Sequence, residues 1–313
     1  MAMTLAEAAK LTSDPLTRGV TEIFVQESAV LERMPFMDIA GNSYKYNKEA
    51  TLPGVEFRAV NAAYSESTGT VNPATESITI LGGDADVDTF IVKTQGSLND
   101  QRAFQTRAKV KALSYKFQDA FINGDTAVDA NSFDGLKKRL TGAQVISAAT
   151  NGLPIVGASD DDRHAFFDKL DELLAAVPDA EALYMPRALR SKIRSAARRL
   201  TIYDQRVDDF GRVIQTYNGV DLRDLGTRPD GSDILPLTET QGSSSVTGSI
   251  YAVKFGATQS DQAVTGLQNG GIEVRDIGEL ETKPVYRTRI EWFPGMALFG
   301  GKAAARLKGV LAG

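Results

Sequence analysis

The chain has 313 residues, 42% of them apolar and 24% charged, which is the composition of a folded protein and enough length for about two domains. It contains no cysteine, which excludes disulfides, thiolate zinc sites, iron–sulfur clusters and cysteine nucleophiles. Its 40 acidic and 35 basic side chains give a net charge of −5, without the basic excess typical of nucleic-acid-binding proteins. No apolar run could span a bilayer and the N-terminus lacks the pattern of a signal peptide, so we expect an intracellular protein without a membrane partner.

Residues 1–42 are predicted to form an N-terminal arm followed by a helix. The first fifteen or so residues are mostly polar and show little periodicity. Residues 16–34 then place apolar side chains such as Val20, Phe24 and Leu31 close to helical spacing, and Pro35 ends the pattern.

Residues 43–82 are predicted to form a long β-hairpin. Apolar and polar side chains alternate over residues 55–59 and again over 77–80, which indicates two strands. The segment between them, 61–76, has almost no large apolar side chains and predicts a polar, mobile tip. Because an isolated hairpin of this length is unstable in water, we expect it to dock on something outside its own core.

The next segments predict alternating strands and helices. Residues 84–95 alternate like a strand, residues 100–122 have the spacing of a long helix, and Gly124 follows where a helix end is expected. Residues 141–160 are rich in glycine and alanine and suggest a boundary.

A second unit is expected after this boundary. A helix should begin at the three aspartates 160–162 and run to about Ala176, followed by a short strand before Pro186 and a basic helix over 187–199. Short strands are expected between 211 and 255. The stretch 285–293 alternates strictly, and 302–307 predicts a short closing helix.

The sequence offers few residues for catalysis or cofactor binding. His164 is the only histidine, no G-x-S-x-G motif accompanies it, and one histidine cannot make a zinc site. Residues 295–304 superficially resemble a phosphate-binding loop, but Met296 stands at its first glycine and Ala303 at its magnesium-binding hydroxyl residue. We therefore expect no cofactor and no metal, and an exposed His164.

Two charged clusters have structural explanations as well as functional ones. Asp84, Asp86 and Asp88 resemble the start of a calcium loop, but Thr89 and Gln95 replace its glycine and its closing glutamate. A solvated or subunit-paired carboxylate face and a weak metal site both remain open. The spacing of the basic residues between 187 and 199 is interpreted as spreading them around the helix. A solvated face, pairing with acidic groups of a neighbouring subunit and contact with DNA all remain open for these residues.

Three segments together carry a resemblance to a known family: EATLPGVEFRAV at 49–60, QRAFQTRAKVKALSYKFQDAFINGD at 101–125 (followed by FDGLKKRL at 133–140), and RIEWFPGMALFGGKAAARLKG at 289–309. With the order of the predicted parts, they resemble the Hong Kong 97-like major capsid proteins of tailed bacteriophages over nearly the whole chain. The resemblance implies an α+β fold: an N-terminal arm and helix over 1–42, an extended hairpin loop over 43–82, a peripheral domain with a long spine helix over 83–158 and 265–313, and an axial domain over 159–264.

The resemblance also implies a function. The protein would be a structural subunit without enzymatic activity that assembles, as hexamers and pentamers, into an icosahedral shell in the virion, built in the bacterial host cytoplasm. Its partners would be other copies of itself, a portal, a separate scaffold protein if one is used, and packaged DNA held without sequence-specific contacts. Candidate contacts between subunits are Glu56, Arg58, Tyr64, Glu66, Asp84, Asp86, Asp88, Arg190, Arg194 and Arg198.

Two alternatives remain beside the phage capsid. An encapsulin nanocompartment shell protein resembles the same family closely, although the long polar arm favours a phage protein. A cytosolic α/β enzyme or binding protein is the alternative of another class, and it would need a pocket with converging polar groups.

Overall fold

The computed structural model describes residues 28–51, 53–95, 101–157, 159–200, 204–207, 213–228 and 230–312. Within these ranges the elements are, in chain order, β1 (Phe36–Asp38), β2 (Ser43–Thr51), β3 (Thr70–Ser77), β4 (Leu81–Asp88), α1 (Thr89–Gln95), α2 (Gln101–Asn123), α3 (Leu136–Arg139), β5 (Val145–Ser147), β6 (Leu153–Pro154), α4 (Asp160–Ala176), β7 (Ala182–Tyr184), α5 (Arg187–Arg199), β8 (Asp204–Val207), β9 (Val213–Tyr217), β10 (Val220–Arg223), β11 (Glu239–Gln241), β12 (Ser244–Val253), β13 (Val264–Gln268), β14 (Glu273–Glu279), β15 (Val285–Trp292), β16 (Pro294–Leu298) and β17 (Ala304–Leu311).

A nine-stranded mixed sheet organises the molecule, with strands in the order β5-β17-β12-β7-β10-β9-β8 and with β6 and β11 paired to β17 and β12. Strand β7 lies in its middle, antiparallel to β12 and parallel to β10. All three residues of β7 are buried because helices cover both faces of the sheet.

The two faces of this sheet belong to two apolar cores. Ala182 and Tyr184 point to one core, which includes Phe117 and Phe121 of α2. Leu183, between them, points to the other core, where α4 and α5 pack. Because side chains alternate along a strand, one sheet packs against the long helix α2 on one face and against α4 and α5 on the other.

Three smaller sheets complete the described fold. They are β14-β15-β4, β1-β13-β16 and the hairpin β2-β3. Strand β15 buries Thr288, Ile290 and Trp292 on one face, as its strict alternation predicts. Trp292 is fully buried, with its ring centroid 5.2 Å from that of Phe36 and 5.0 Å from that of Phe117.

The helices predicted over 100–122, 160–176 and 187–199 are confirmed nearly to the residue, as α2, α4 and α5. Helix α4 begins with a capping box, in which Ser159 accepts from the Asp162 N–H and Asp162 accepts from the Ser159 N–H. Gly124 follows α2 as expected. Its N–H donates to the Ala120 carbonyl, and a Cβ there would lie 2.2 Å from the Phe133 carbonyl oxygen, so only glycine fits.

Several predicted elements differ in the structure. The hairpin is present, but its strands are β2 and β3, whereas 55–59 and 78–80 are not strands. Residues 89–95 form helix α1 instead of continuing the strand of 84–88. The predicted closing helix at 302–307 is wrong, because 304–311 is strand β17, buried between β12 and β5.

The predicted arm and helix over 1–42 lie largely outside the described residues, and residues 29–33 form turns. The predicted boundary at 141–160 holds two short strands, β5 and β6, both paired with β17. The domain limits stay a prediction. Strand β17 belongs to the predicted peripheral domain and β12 to the predicted axial domain, yet the two strands pair in one sheet. None of the described helices has the length and apolar character needed to cross a membrane.

Candidate assembly surfaces

The base of the β2–β3 hairpin is fixed to the body of the protein by a polar cluster around Glu76. Arg139 donates two hydrogen bonds to the Glu76 carboxylate, at 2.8 and 2.7 Å. The Tyr46 hydroxyl lies 3.1 Å from Glu76 Oε1 and 3.2 Å from the Leu298 carbonyl oxygen. Burial, and then the negative charge of Glu76, raise the pKa of Tyr46 well above its ordinary value, so this hydroxyl stays protonated.

Aromatic packing reinforces the same base. The ring of Tyr46 meets that of Phe299 edge-on at 4.9 Å, and Tyr44 stacks beside it at 6.1 Å. These rings form a small core of their own with Ile39 and Leu267. The hairpin therefore leaves the body in a fixed direction.

The hairpin tip, residues 53–69, is exposed along its whole length. Val55, Phe57 and Val60 are 97%, 107% and 91% exposed, and Tyr64 is 66% exposed. Large apolar side chains grouped this way on a projecting loop are typical of a surface that another molecule covers.

The tip holds its shape through local contacts. Glu56 accepts a hydrogen bond of 2.5 Å from the Ser65 N–H, which holds the pKa of the Glu56 carboxyl below its ordinary value. The Arg58 guanidinium lies 5.1 Å from the centre of the Tyr64 ring. Four predicted contact residues, Glu56, Arg58, Tyr64 and Glu66, thus lie together on an exposed loop, and their contact with another subunit stays a prediction.

The three aspartates of β4 have partners within the chain. Asp84 accepts from Arg289 at 2.8 and 3.0 Å, and Asp86 accepts from Arg287 at 2.7 and 2.6 Å. These arginine hydrogen bonds hold the pKa values of both carboxyls below their ordinary range.

Asp88 has a different role, because its Oδ1 accepts from the Phe90 N–H at the start of α1. Among the described residues no cluster of acidic or histidine side chains could hold a metal ion. Asp84 and Asp86 therefore form a ladder of arginine-paired carboxylates across the β4–β15 strands.

The basic helix α5 aligns its arginines more closely than the sequence analysis expected. Arg187, Arg190 and Arg194 border one cleft of about 390 Å³ between α5 and strands β9 and β10. Their spacing of three and four residues puts them on one face of the helix. Arg198 falls on the same side by spacing and is exposed. These four arginines therefore share one side of α5, and it is Lys192 and Arg199 that lie on the other side and give the six basic residues their predicted spread.

A buried network of ion pairs near this cleft could not be predicted from the sequence. Asp221, with its side chain 1% exposed, pairs with Arg33, Arg206 and Arg223, and Arg223 also bonds Glu32 at 3.0 Å. The network ties the turn at 28–34 to β10, across 188 residues of sequence. No local signal could have indicated it, because the partners come together only in the folded chain.

His164 lies exposed on α4. The glycine-rich 295–304 segment forms β16 and the turn to β17, where residues 294–299 are buried and no helix begins to receive a phosphate.

Comparison with known proteins places the chain in a structural class. The family model described as Major capsid protein GP7 matches residues 13–163. A search of curated proteins gives no match. The holo-SrpI encapsulin complex of Synechococcus elongatus PCC 7942 is similar in structure, with a TM-score of 0.66 and 18% identity over 100% of this chain and 97% of that chain.

Two further solved structures are similar as well. The capsid of a native GTA particle has a TM-score of 0.63 and 15% identity, covering 91% of this chain and 90% of that one. A structure from Microbacterium phage Oxtober96 has a TM-score of 0.60 and 15% identity, with 91% of each chain covered.

The fold is therefore that of the Hong Kong 97-like shell proteins, with the α+β architecture that the resemblance implied. Within that class, the family match and the phage capsids confirm the similarity to the major capsid proteins of tailed phages.

Proposed function

We propose that this protein is the major capsid protein of a tailed phage, and that copies of it assemble into an icosahedral shell around double-stranded DNA. The observation that carries the proposal is the hairpin tip. Val55, Phe57 and Val60 are each more than 90% exposed on a loop whose base is rigidly anchored. A fold of this class with such a loop needs neighbouring copies to cover it.

The role is structural. The two clefts near α5 are lined by arginines together with other polar side chains, and Arg223, which lines both, is paired with Glu32 and Asp221. A cytosolic enzyme or binding protein is disfavoured because the two clefts beside α5 are lined mainly by charged and polar side chains, whereas a ligand pocket is mostly apolar with a few converging polar groups.

The finer assignments belong to this proposal. Residues 43–82 are the extended loop, 83–158 and 265–313 the peripheral domain with α2 as spine helix, and 159–264 the axial domain. The shell consists of hexamers and pentamers in the virion, is assembled in the host cytoplasm, and uses portal and scaffold partners. Packaged DNA is enclosed without sequence-specific contacts.

An encapsulin-type compartment is the second candidate, favoured by the full-length structural match to the SrpI encapsulin. Terminase, portal and protease genes beside this one would identify a phage protein, and a peroxidase or ferritin-like cargo gene an encapsulin.

The direct test is assembly of the purified protein. Light scattering and negative-stain microscopy at micromolar concentration, with and without the scaffold, should show capsomers or closed shells. The interfaces of each copy should together bury well over the roughly 1,600 Å² of a standard pair. A compact monomer under all these conditions would contradict the proposal.

A further inference from the structure

The cleft beside α5 concentrates positive charge on one side of the described structure. Arg187, Arg190 and Arg194 line it, and Ile214 and Leu222 from the neighbouring strands complete its walls. Arg194 is exposed and Arg190 is half-buried. The helix contains six basic side chains and no acidic one.

These arginines form none of the ion pairs that other arginines among the described residues form. Arg223, which also lines the cleft, forms ion pairs with Glu32 and Asp221. By contrast, none of Arg187, Arg190 and Arg194 forms an ion pair with a carboxylate of the residues that the structure describes. Like charges three and four residues apart on a helix repel one another. An anionic group bound in the cleft would relieve that repulsion.

Helix α4 has the opposite charge. It contains six carboxylates against two basic side chains. At about 100° per residue, its exposed acidic side chains fall on one side of the helix. This acidic face of α4 consists of Asp160, Asp161, Asp168, Asp171 and Glu172.

Parts of the acidic face are already engaged within the chain. Asp160 pairs with Arg163, Glu172 with Lys169, and Asp171 accepts from the Tyr217 hydroxyl. Asp161 and Asp168 are exposed. Across the described ranges, no ion pair joins α4 to α5, although both helices pack in the same core. The two charged faces therefore do not neutralise each other within one copy.

We infer that the arginine cleft of α5 receives the acidic face of α4 from a second copy of this chain. The inference rests on the proposed shell function and adds to it the residues of one interface. Two different, complementary surfaces on one chain make a head-to-tail contact, which closes into a ring when the rotation between copies allows. Both helices belong to 159–264, so this contact would join neighbouring axial units within a capsomer.

The surroundings favour a protein partner over nucleic acid. A second cavity of about 360 Å³ shares Arg187 and Arg190 with the cleft and is also lined by Glu32, Asp224 and Asp233. These carboxylates would repel a continuous phosphate backbone, whereas a helix with separate carboxylates can be placed between them. The net charge of −5 likewise gives no general attraction for DNA.

Charge reversal and its rescue test the contact in the full-length chain. One variant carries Arg190→Glu and Arg194→Glu, a second carries Asp161→Arg and Asp168→Arg, and a third combines all four changes. Lys192→Glu with Arg199→Glu is the matched control, because it makes the same change in charge on the opposite side of α5. Circular dichroism melting establishes that each subunit folds, and Arg190→Gln with Arg194→Gln replaces the first variant if it does not.

Light scattering then gives the protein concentration at which capsomers or shells appear. Each two-residue reversal should raise this concentration by roughly tenfold or more, since it turns attraction into repulsion at every copy of the contact. In the four-residue variant this concentration should return most of the way to that of the unaltered chain. The control should assemble like the unaltered chain. Added salt should weaken assembly of the unaltered chain.

The outcomes separate this inference from the proposed function. Shells that form normally from the Arg190→Glu, Arg194→Glu chain would overturn the α4–α5 contact and leave the shell function standing. Normal shells that retain less DNA would assign the cleft to phosphates and equally overturn it. Equal impairment by the control, or no rescue in the four-residue variant, would also contradict it. If the unaltered chain never assembles, that result would instead contradict the proposed shell function.

Discussion

Strand β7 and the hairpin tip both carry large apolar side chains, but the chain itself covers only those of β7. Leu183 and Tyr184 are fully buried between helices on the two faces of the large sheet. Val55 and Phe57 on the tip touch almost nothing and are more than 90% exposed. The difference separates two sources of free energy: burial within the subunit drives its folding, and burial of the tip is available only to association.

The comparison predicts that substitutions in the body affect folding and substitutions in the tip do not. The largest effect on folding should come from Trp292→Ala, because Trp292 is fully buried against Phe36 and Phe117 and its Nε1 donates to Gln268 at 3.3 Å. Removing a buried tryptophan ring should lower the free energy of unfolding by about 3–5 kcal/mol. Urea denaturation of the unassembled subunit measures this loss.

Phe57→Ala is the matched control for Trp292→Ala, since it truncates an aromatic ring that is fully exposed. It should change the free energy of unfolding by less than about 0.5 kcal/mol. Equal losses in the two variants would mean that the tip belongs to the core of the subunit. A Trp292 emission spectrum typical of full exposure to water would contradict the placement of this residue.

The elements that sequence reasoning predicted best are those with a local signal. Helices α2, α4 and α5 repeat apolar residues at helical spacing, and α4 begins at a run of aspartates behind Ser159. The alternation in β15 was just as informative, because one of its faces is buried and the other is half-exposed. In these segments the local pattern and the tertiary environment agree.

Prediction failed where tertiary pairing overrides the local pattern. The residues Ala303–Leu307 have high helix propensity, yet β17 is a strand because it lies between β12 and β5 and buries both faces. Alternation over 55–59 suggested a strand, but those residues have no strand to pair with. The candidate contact residues could be placed on exposed surfaces, whereas the Asp221 network and the cleft of α5 required the folded chain.

The base of the hairpin should show an intermediate effect. Arg139→Ala removes both hydrogen bonds to Glu76, whose side chain is only 13% exposed. Because the mostly buried Glu76 carboxylate loses its cationic partner and keeps only the Tyr46 hydroxyl, we expect the free energy of unfolding to fall by about 2–3 kcal/mol. Hydrogen exchange should show faster exchange in β2 and β3 than in β7.

The matched control at the hairpin base is the double variant Arg139→Met with Glu76→Leu. It removes both charges and should recover much of the loss, since no carboxylate is then left unpaired. Unchanged exchange rates of β2 and β3 in Arg139→Ala would show that the aromatic cluster alone fixes the hairpin.

The carboxylate ladder of β4 should contribute less and depend on pH. Hydrogen bonds from Arg289 lower the pKa of the Asp84 carboxyl in the folded chain. A lowered pKa means that the stabilisation is present above the unfolded pKa and is lost as the pH falls through the folded value. Asp84→Asn should therefore cost under about 1 kcal/mol at pH 7. The cost should shrink as the pH falls through the lowered pKa of the folded Asp84 carboxyl, because the unaltered side chain then becomes neutral as well.

Urea denaturation from pH 7 to pH 2.5 measures this difference, with Asp161→Asn as the control because Asp161 is exposed on α4. The control should show little difference at any pH. A cost of Asp84→Asn that stays constant over the whole range would assign it to packing rather than to the ion pairs.

The smallest effect on folding, and the largest on assembly, should follow replacement of the tip. Exchanging residues 53–69 for a two-residue Asn-Gly turn removes Val55, Phe57, Val60 and Tyr64 but leaves β2, β3 and the anchor of Glu76 in place. Asn-Gly is suited to a tight connection between antiparallel strands. Shortening the loop changes its closure entropy by only about 0.6 kcal/mol per halving of length, in favour of the folded chain. Helical content and the unfolding midpoint should thus be nearly unchanged.

Assembly should fail or give fragile shells, because every copy loses the apolar surface that a neighbour would cover, and the loss is repeated at every subunit of the particle. Circular dichroism melting and negative-stain microscopy of the same preparation measure both effects. Normal, robust shells would show that the tip is not an assembly surface, and a subunit that no longer folds would show that the tip supports a core within its own chain.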